Sequence, residues 1–209
     1  MTIVRYDEGL GLAEYLQKEQ TLAASVDKPT LFTWIVSPTV IYGRHQLIEQ
    51  EADLEYCRTH GIHVVQRKSG GGCVYADRGN LMVSYVVPSP HSAEVFDAFL
   101  MMLAGALREM GYEAVTTAHN DVLVGDRKVC GTACYTTANA TIVHACMLYD
   151  VNLDALESAL CPPAEKLQKH AVQSVRQRVR NLREVRDIGD IEAFRQQLEN
   201  TMMINTIKK

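Results

Sequence analysis

Val122-Leu123-Val124-Gly125-Asp126-Arg127-Lys128-Val129-Cys130 is the stretch on which the fold class turns. Two short apolar runs flank Gly125-Asp126-Arg127, a turn signal, so the stretch predicts a β-hairpin. Hairpins pair strands antiparallel, which a purely parallel α/β sheet does not do. Outward from the hairpin, residues 140–150 read as a further strand. Residues 92–110 read as the longest helix, with Val95, Phe99, Met102, Leu103 and Leu107 at core spacing. Residues 73–76 and 81–87 read as strands around Asp77-Arg78-Gly79-Asn80, and 62–66 as a shorter one. Residues 49–60 predict a helix stopped by Gly61. Residues 30–36 and 39–42 predict strands broken by Ser37-Pro38, residues 8–20 a first helix, and 153–160 and 190–203 short late helices. Strands and helices are intermixed and hairpins are prominent, so the expected class is α+β, with residues 1–209 as a single domain.

The bulk composition excludes several functions. The 209 residues are 47% apolar, enough for a real core. No apolar run reaches the roughly 18 residues of a membrane span. The N-terminus lacks a secretory pattern, and the six cysteines include no CxxC pair. A reducing cytoplasm is therefore the expected compartment. The net charge of −4 argues against nucleic acid as a partner. Locally, residues 165–186 carry seven basic side chains against two acidic ones. That stretch is either a solvated face or a segment that meets phosphate or an acidic partner.

Two clusters carry chemistry. Arg67-Lys68-Ser69-Gly70-Gly71-Gly72 lies between two predicted strands. Three successive glycines are entropically expensive to order, and the usual reason is φ > 0 or a close backbone approach. With Arg67 and Lys68 adjacent, an anion cradle is one reading and a plain turn the other. Asn120-Asp121 stands at the mouth of the hairpin and Lys128 on its return strand. An Asp beside a Lys suits Mg²⁺ plus a phosphate-neutralising ammonium; a capping turn and a solvent-facing lysine are the alternatives. Period-2 alternation would put Lys128, Cys130, Thr132 and Cys134 on one face.

In combination these motifs resemble the lipoate–protein ligase family, within the biotin/lipoate ligase superfamily. The resemblance covers roughly residues 8–185. It runs through Leu10-Gly11-Leu12-Ala13-Glu14-Tyr15-Leu16, Trp34 to Gly43-Arg44-His45-Gln46, and the loop from Arg67 through Cys73-Val74-Tyr75 with Asp77, Gly79 and Asn80. It continues through Asn120-Asp121 with Gly125 to Ala133, His144, and Leu153 to Asn181-Leu182. Six motifs in order at compatible spacing make a far stronger signal than any one alone.

The resemblance implies the mixed sheet with packed helices of biotin ligases and class II synthetases. It implies a lipoate–protein ligase that forms lipoyl-adenylate from lipoate and ATP with Mg²⁺, then passes the lipoyl group to a lysine. The acceptor would be a lipoyl domain of a 2-oxoacid dehydrogenase or a glycine-cleavage-type protein. By the same resemblance, Lys128 would be the catalytic residue, contacting carboxylate and α-phosphate. Arg67, Ser69, Gly70, Gly71, Gly72, Asn80, Asn120, Asp121, Gly131, Thr132, His144 and Arg176 would bind acid and nucleotide, and Asp121 would hold Mg²⁺.

The sequence departs from the family pattern at Ala76, where the ligases often have histidine, and at Ala145 and Cys146, after the strand histidine. It ends at Lys209 without the C-terminal accessory domain of many ligases, so a separate accessory protein is a possible partner. The rival reading is an ATP-independent octanoyl- or lipoyltransferase with a cysteine nucleophile. Its usual cysteine positions fall on Thr141 and on the stretch from Thr116 to Asn120, leaving Cys130, Cys134 and Cys146 as candidates. A third reading is a non-catalytic lipoyl-binding module. No GRGRxG-type loop favours a biotin ligase.

Overall fold

The computed structural model describes residues 1–6, 9–117, 120–160 and 178–207. Lys166, Lys169 and Arg176 of the basic stretch lie outside the described residues, as does His119.

Seven strands form the main sheet: β1 (Thr2–Ile3), β2 (Thr30–Trp34), β6 (Asn80–Val87), β10 (Thr141–Leu148), β9 (Arg127–Thr136), β8 (Asp121–Val124) and β7 (Ala114–Thr116), in that spatial order. Only β1 and β2 pair parallel; the other neighbours are antiparallel. A second sheet of β4 (His63–Gln66), β3 (Thr39–Tyr42) and β5 (Val74–Ala76) has β3 at its centre, parallel to β4 and antiparallel to β5. The α+β expectation holds, with both sheets mixed.

Alternation along the strands separates the two faces of the main sheet. Leu81 and Val83 of β6 and Val143, Ala145 and Met147 of β10 face α3 (Ser92–Glu109) and α6 (Ile191–Ile207). Phe99, Leu103 and Leu107 of α3 and Phe194 and Leu198 of α6 complete that core, all with zero exposure. Fully burying one such side chain is worth about 1.5–3 kcal/mol, an upper figure because unfolded chains already bury part of their surface. The other face carries Phe32, Trp34, Met82 and Cys146 and is covered by α1 (Leu12–Ser25) through Leu12 and Tyr15. Tyr15 stacks on Trp34 with centroids 4.6 Å apart.

Helix starts follow their caps. Glu14 Oε2 accepts the Gly11 N–H at 2.7 Å, so α1 begins at Leu12, later than the helical pattern suggests. Ile48–Gln50 is one 3₁₀ turn, and Asp53 caps α2 (Leu54–Thr59) by accepting the Tyr56 N–H. The predicted helix 49–60 is therefore two pieces. Asn152 caps α4 (Leu153–Ala159), and a short α5 (Leu182–Val185) follows Asn181. No described helix is long and apolar enough to cross a membrane.

A polar knot joins the ends of β6 and β10. Asp77 accepts the N–H groups of Gly79 and Asn152, and Gly79 O accepts those of Tyr149 and Asp150. Asn181 makes two 2.9 Å hydrogen bonds to the Val151 backbone.

Candidate active site

The β8–β9 hairpin sets the site. Asp121 pairs with Gly131 and Val122 with Cys130, but Leu123 pairs with Lys128, so Val129 is an extra residue. This β-bulge leaves two adjacent residues, Val129 and Cys130, buried in the main core and reverses the alternation beyond them. Lys128 and Gly131 consequently face the open side. The expectation of one face shared by Lys128, Cys130, Thr132 and Cys134 is thus corrected: Cys130 sits in the core and Cys134 packs against it. A Cβ on Gly131 would lie 3.0 Å from Lys128 Cε and Nζ, so the glycine leaves the lysine its path. Lys128 Nζ is 2.7 Å from Asp121 Oδ1, and both side chains are about a third exposed, at 32% and 29%.

Two cavities meet at this pair. The inner chamber, about 260 Å³, is lined by Leu16, Trp34, Ile41, Met82, His144 and Cys146 and opens on Lys128. The outer chamber, about 460 Å³, has an apolar wall of Leu123, Leu148, Leu156 and Leu160, with Asp126, Arg178 and Lys128 on its polar side. Gly72, Cys73, Val74, Asp121, Lys128, Gly131 and Cys146 line both. Arg180 donates its N–H to Lys128 O at 3.1 Å, which ties the chain carrying Arg178 to the lysine's own backbone.

Not every expected ligand residue faces these chambers. Gly71, Gly72, Asn120, Asp121, Gly131, Thr132 and His144 line them. Asn120 adopts φ +70°, and its carbonyl accepts the Thr132 hydroxyl at 2.6 Å. Gly70 instead borders a separate outer cleft. Asn80 is fully buried, accepts the Asp77 N–H, and donates to Cys146 Sγ and Met147 O; it supports the floor. Ser69 is fully buried behind the loop.

Arg67 also departs from expectation. It borders the inner chamber, yet its donors are directed into its own loop: Nε to Ser69 Oγ (3.0 Å), Nη1 to Ile41 O (3.0 Å), and Nη2 to Gly70 O and Gly72 O (2.8 and 2.7 Å). An arginine has five N–H donors, so little remains for a ligand. Arg67 is the loop's internal brace. Gly71 takes φ +91°, and the loop passes so close to Gly43 that a Cβ there would stand 2.4 Å from Gly71 O.

The surroundings of Cys73, Cys130, Cys134 and Cys146 work against nucleophilic thiols. Burial pushes the Cys146 thiol up to about 12, against weaker opposing pulls from Lys128 and Arg67. Burial raises Cys130 further, and also raises Cys134 and, to about 12, Cys73. The thiolate is the reactive form, so these environments suppress it.

Sequence reasoning passed over Glu19. It is fully buried on the covered face of α1 and lies next to His144. Leu12, Tyr15, Glu19 and Ala23 share one helical stripe, so an acid on the apolar face was the available signal.

Residues 5–203 match the family model described as the lipoyl protein ligase A/B catalytic domain. Lipoate–protein ligase 1 of Staphylococcus aureus is 31% identical over 199 residues, covering 94% of this chain and 60% of that protein. The chain spans about 53–60% of the length of this and two other curated ligase relatives. Among solved structures, a bipartite lipoate protein ligase of Thermoplasma acidophilum, described with its E2 lipoyl domain, superposes with TM-score 0.83 at 30% identity. It covers 96% of this chain and 80% of that one. A lipoate-protein ligase A bound with ATP gives 0.81 at 27% identity, covering 96% and 82%. A biotin protein ligase of Aquifex aeolicus, at 14% identity and TM-score 0.51, covering 97% and 70%, shares the fold alone.

Proposed function

Because the chain belongs to the lipoyl protein ligase A/B catalytic-domain family, we propose that it activates lipoate with ATP and transfers the lipoyl group to a lysine of an acceptor lipoyl domain. One observation carries the reading: Lys128 lines both chambers, so an acid in the inner one and a nucleotide in the outer one meet at a single ammonium.

The chemistry follows from that meeting point. A carboxylate is a weak electrophile, and its acyl carbon needs a better leaving group. In the first half-reaction a carboxylate oxygen bonds to the α-phosphorus, and the bond to pyrophosphate breaks. The obstacle is bringing one anion to a polyanion. Lys128 offsets that repulsion from within a partly water-excluded site, where a fixed charge is worth most. The apolar inner chamber holds the alkyl chain in line, which converts a bimolecular encounter into a positioned one. In the second half-reaction the acceptor amine bonds to the acyl carbon, AMP leaves, and the amine sheds a proton. Lys128 faces the carbonyl oxygen on which charge develops.

The leucine wall of the outer chamber suits an adenine ring, and Arg178 with the Gly72 backbone suits phosphates. Mg²⁺ characteristically takes one or two carboxylates together with substrate phosphates, offsetting their charge. Asp121 and Asp126, both in the outer-chamber wall, fit that pattern, and Asp121 is the residue assigned to the ion.

The cysteine-transferase reading is disfavoured by the buried, proton-retaining thiols. A lipoyl-domain acceptor is supported by the bipartite Thermoplasma ligase, described with its E2 lipoyl domain; a 2-oxoacid dehydrogenase or a glycine-cleavage-type protein would supply it. The same system supports a separate accessory protein as a second partner.

The test is an intact-mass assay of an acceptor lipoyl domain incubated with this protein, lipoate and Mg-ATP, with and without an accessory subunit. Addition of a lipoyl group to one lysine, dependent on ATP, is expected. Modification only from an octanoyl-carrier donor without ATP would sink the ligase reading.

A further inference from the structure

Behind the glycine loop, six side chains form one buried polar chain. Arg67 Nε donates to Ser69 Oγ at 3.0 Å, and Ser69 Oγ lies 2.8 Å from His144 Nε2. His144 Nδ1 faces Glu19 Oε1 at 3.5 Å. On the far side, Trp34 Nε1 donates to Ser84 Oγ at 2.9 Å, and Ser84 Oγ donates to Glu19 Oε1 at 2.6 Å.

Donor counting gives one proton order that satisfies the hydrogen bonds along this chain. Arginine can only donate, so Ser69 Oγ accepts there and has its own proton for His144 Nε2. His144 Nε2 is then the unprotonated nitrogen, and a neutral ring carries its proton on Nδ1, toward Glu19. Both arms converge on the Glu19 carboxylate. A buried cation, Arg67, and a buried anion, Glu19, are thus linked through a serine and a histidine. At 3.5 Å the Nδ1 contact is electrostatic and not a hydrogen bond, and neither His144 Nδ1 nor Glu19 Oε2 has a hydrogen-bond partner among the described residues. A fully buried carboxylate kept in so exacting a place is hard to explain by packing alone.

We propose that Glu19 is a positioning residue: by fixing the tautomer of His144 it orients Ser69 and Arg67, and through them the glycine loop beside Lys128. Arg67 reaches Ile41 O of β3 and the Gly70 and Gly72 carbonyls, so its orientation is the loop's orientation. Without the anion, His144 is free to carry its proton on Nε2. That N–H adds a second donor at the Ser69 oxygen beside Arg67 and turns the Ser69 proton away from His144. Trp34 and His144 also line the inner chamber, so the same chain touches the acid site and the loop.

The direct test is NMR of the His144 ring nitrogens in the wild-type protein and in Glu19→Gln, with the amide shifts of Gly70, Gly71 and Gly72. The expected results are the Nδ1–H tautomer in the wild type, its loss in Glu19→Gln, and displaced loop amides. Glu19→Asp, which keeps the charge, should retain the tautomer. The kinetic arm rests on the proposed ligase reading: lipoate-dependent pyrophosphate exchange should fall in kcat by about 10- to 100-fold with little change in KM for lipoate. A wild-type His144 protonated on Nε2, or a Glu19→Gln protein with unchanged ring and loop signals, overturns the proposal. If Glu19→Gln does not fold, the wild-type tautomer and Ser69→Ala decide: an Nδ1 proton kept without the serine is expected, and a tautomer that switches when only Ser69 is removed overturns the proposal. A wild type without exchange activity counts against the ligase reading alone, and the ring signals still judge this one.

Discussion

Lys128 Nζ lies 2.7 Å from Asp121 Oδ1 across the mouth of the β8–β9 hairpin, where the inner and outer chambers join. The bulge at Val129 makes the pairing possible by turning Lys128 to the open side while Val129 and Cys130 stay in the core. Both partners are partly exposed, so the ion pair contributes only about 0–1 kcal/mol to stability. Replacing Lys128 by Ala should therefore leave the melting temperature nearly unchanged while adenylate formation falls by about 100- to 1,000-fold or more. A calorimetric melt beside a pyrophosphate-exchange assay separates the two effects; wild-type rates in Lys128→Ala would remove its role.

Gly131→Ala tests the geometry without removing the charge. The new methyl would stand 3.0 Å from Lys128 Cε and Nζ, and the flexible end of the lysine must yield. Because a small misplacement at a reacting centre is costly, kcat should fall by about tenfold or more with the fold intact. Steady-state kinetics with lipoate and ATP varied separately would check it; unchanged kcat would mean that the lysine tolerates the shift.

Much of this arrangement was legible in the sequence, and the exceptions have physical causes. Gly71, Gly72, Asn120, Asp121 and Lys128 do line the chambers, and they stand out in the sequence as unusual residue types at fixed spacing. Helical core spacing marks α3, whereas β10 is a continuous apolar run buried at every position. The bulge was missed because it depends on pairing with β8, although the adjacent apolar residues Val129 and Cys130 hinted at a break in alternation. The β4–β3–β5 sheet was not foreseen as separate, since long-range pairing leaves no local trace. Arg67, Ser69 and Asn80 hydrogen-bond within the protein, a supporting position that a sequence motif alone does not distinguish from contact with a ligand.

The cysteines yield a prediction with a definite sign. The Cys146 thiol is raised by burial from 9.0 to about 12. Its folded form therefore holds a proton that the unfolded chain releases first. The stability linked to that proton is fully present below pH 9.0 and is lost as pH rises toward about 12, by at most about 1.4 kcal/mol per pH unit. Denaturation at pH 8, 9 and 10 should show a shallower alkaline decline for Cys146→Ala than for the wild type. The same variant, combined with Cys134→Ala, should keep lipoyl transfer at the wild-type order of magnitude. Abolished transfer in a folded double variant would revive the thiol mechanism.

Gly79 is a structural counterpart. A Cβ there would lie 2.0 Å from Asp150 O, a backbone atom fixed by the knot joining β6 and β10. Gly79→Ala should destabilise the fold by about 1–3 kcal/mol or more, and the variant should lose activity through unfolding. Urea denaturation measures this directly; an unshifted midpoint would show that the knot can open without cost.

Acid-dependent exchange of labelled pyrophosphate into ATP reads out the proposed meeting of acid and nucleotide at the Lys128 ammonium. The expected exchange requires lipoate and Mg²⁺, proceeds with the chain alone or with an accessory subunit, and disappears in Lys128→Ala. Absence of exchange under both conditions, with acyl transfer from a carrier protein still proceeding, would contradict it.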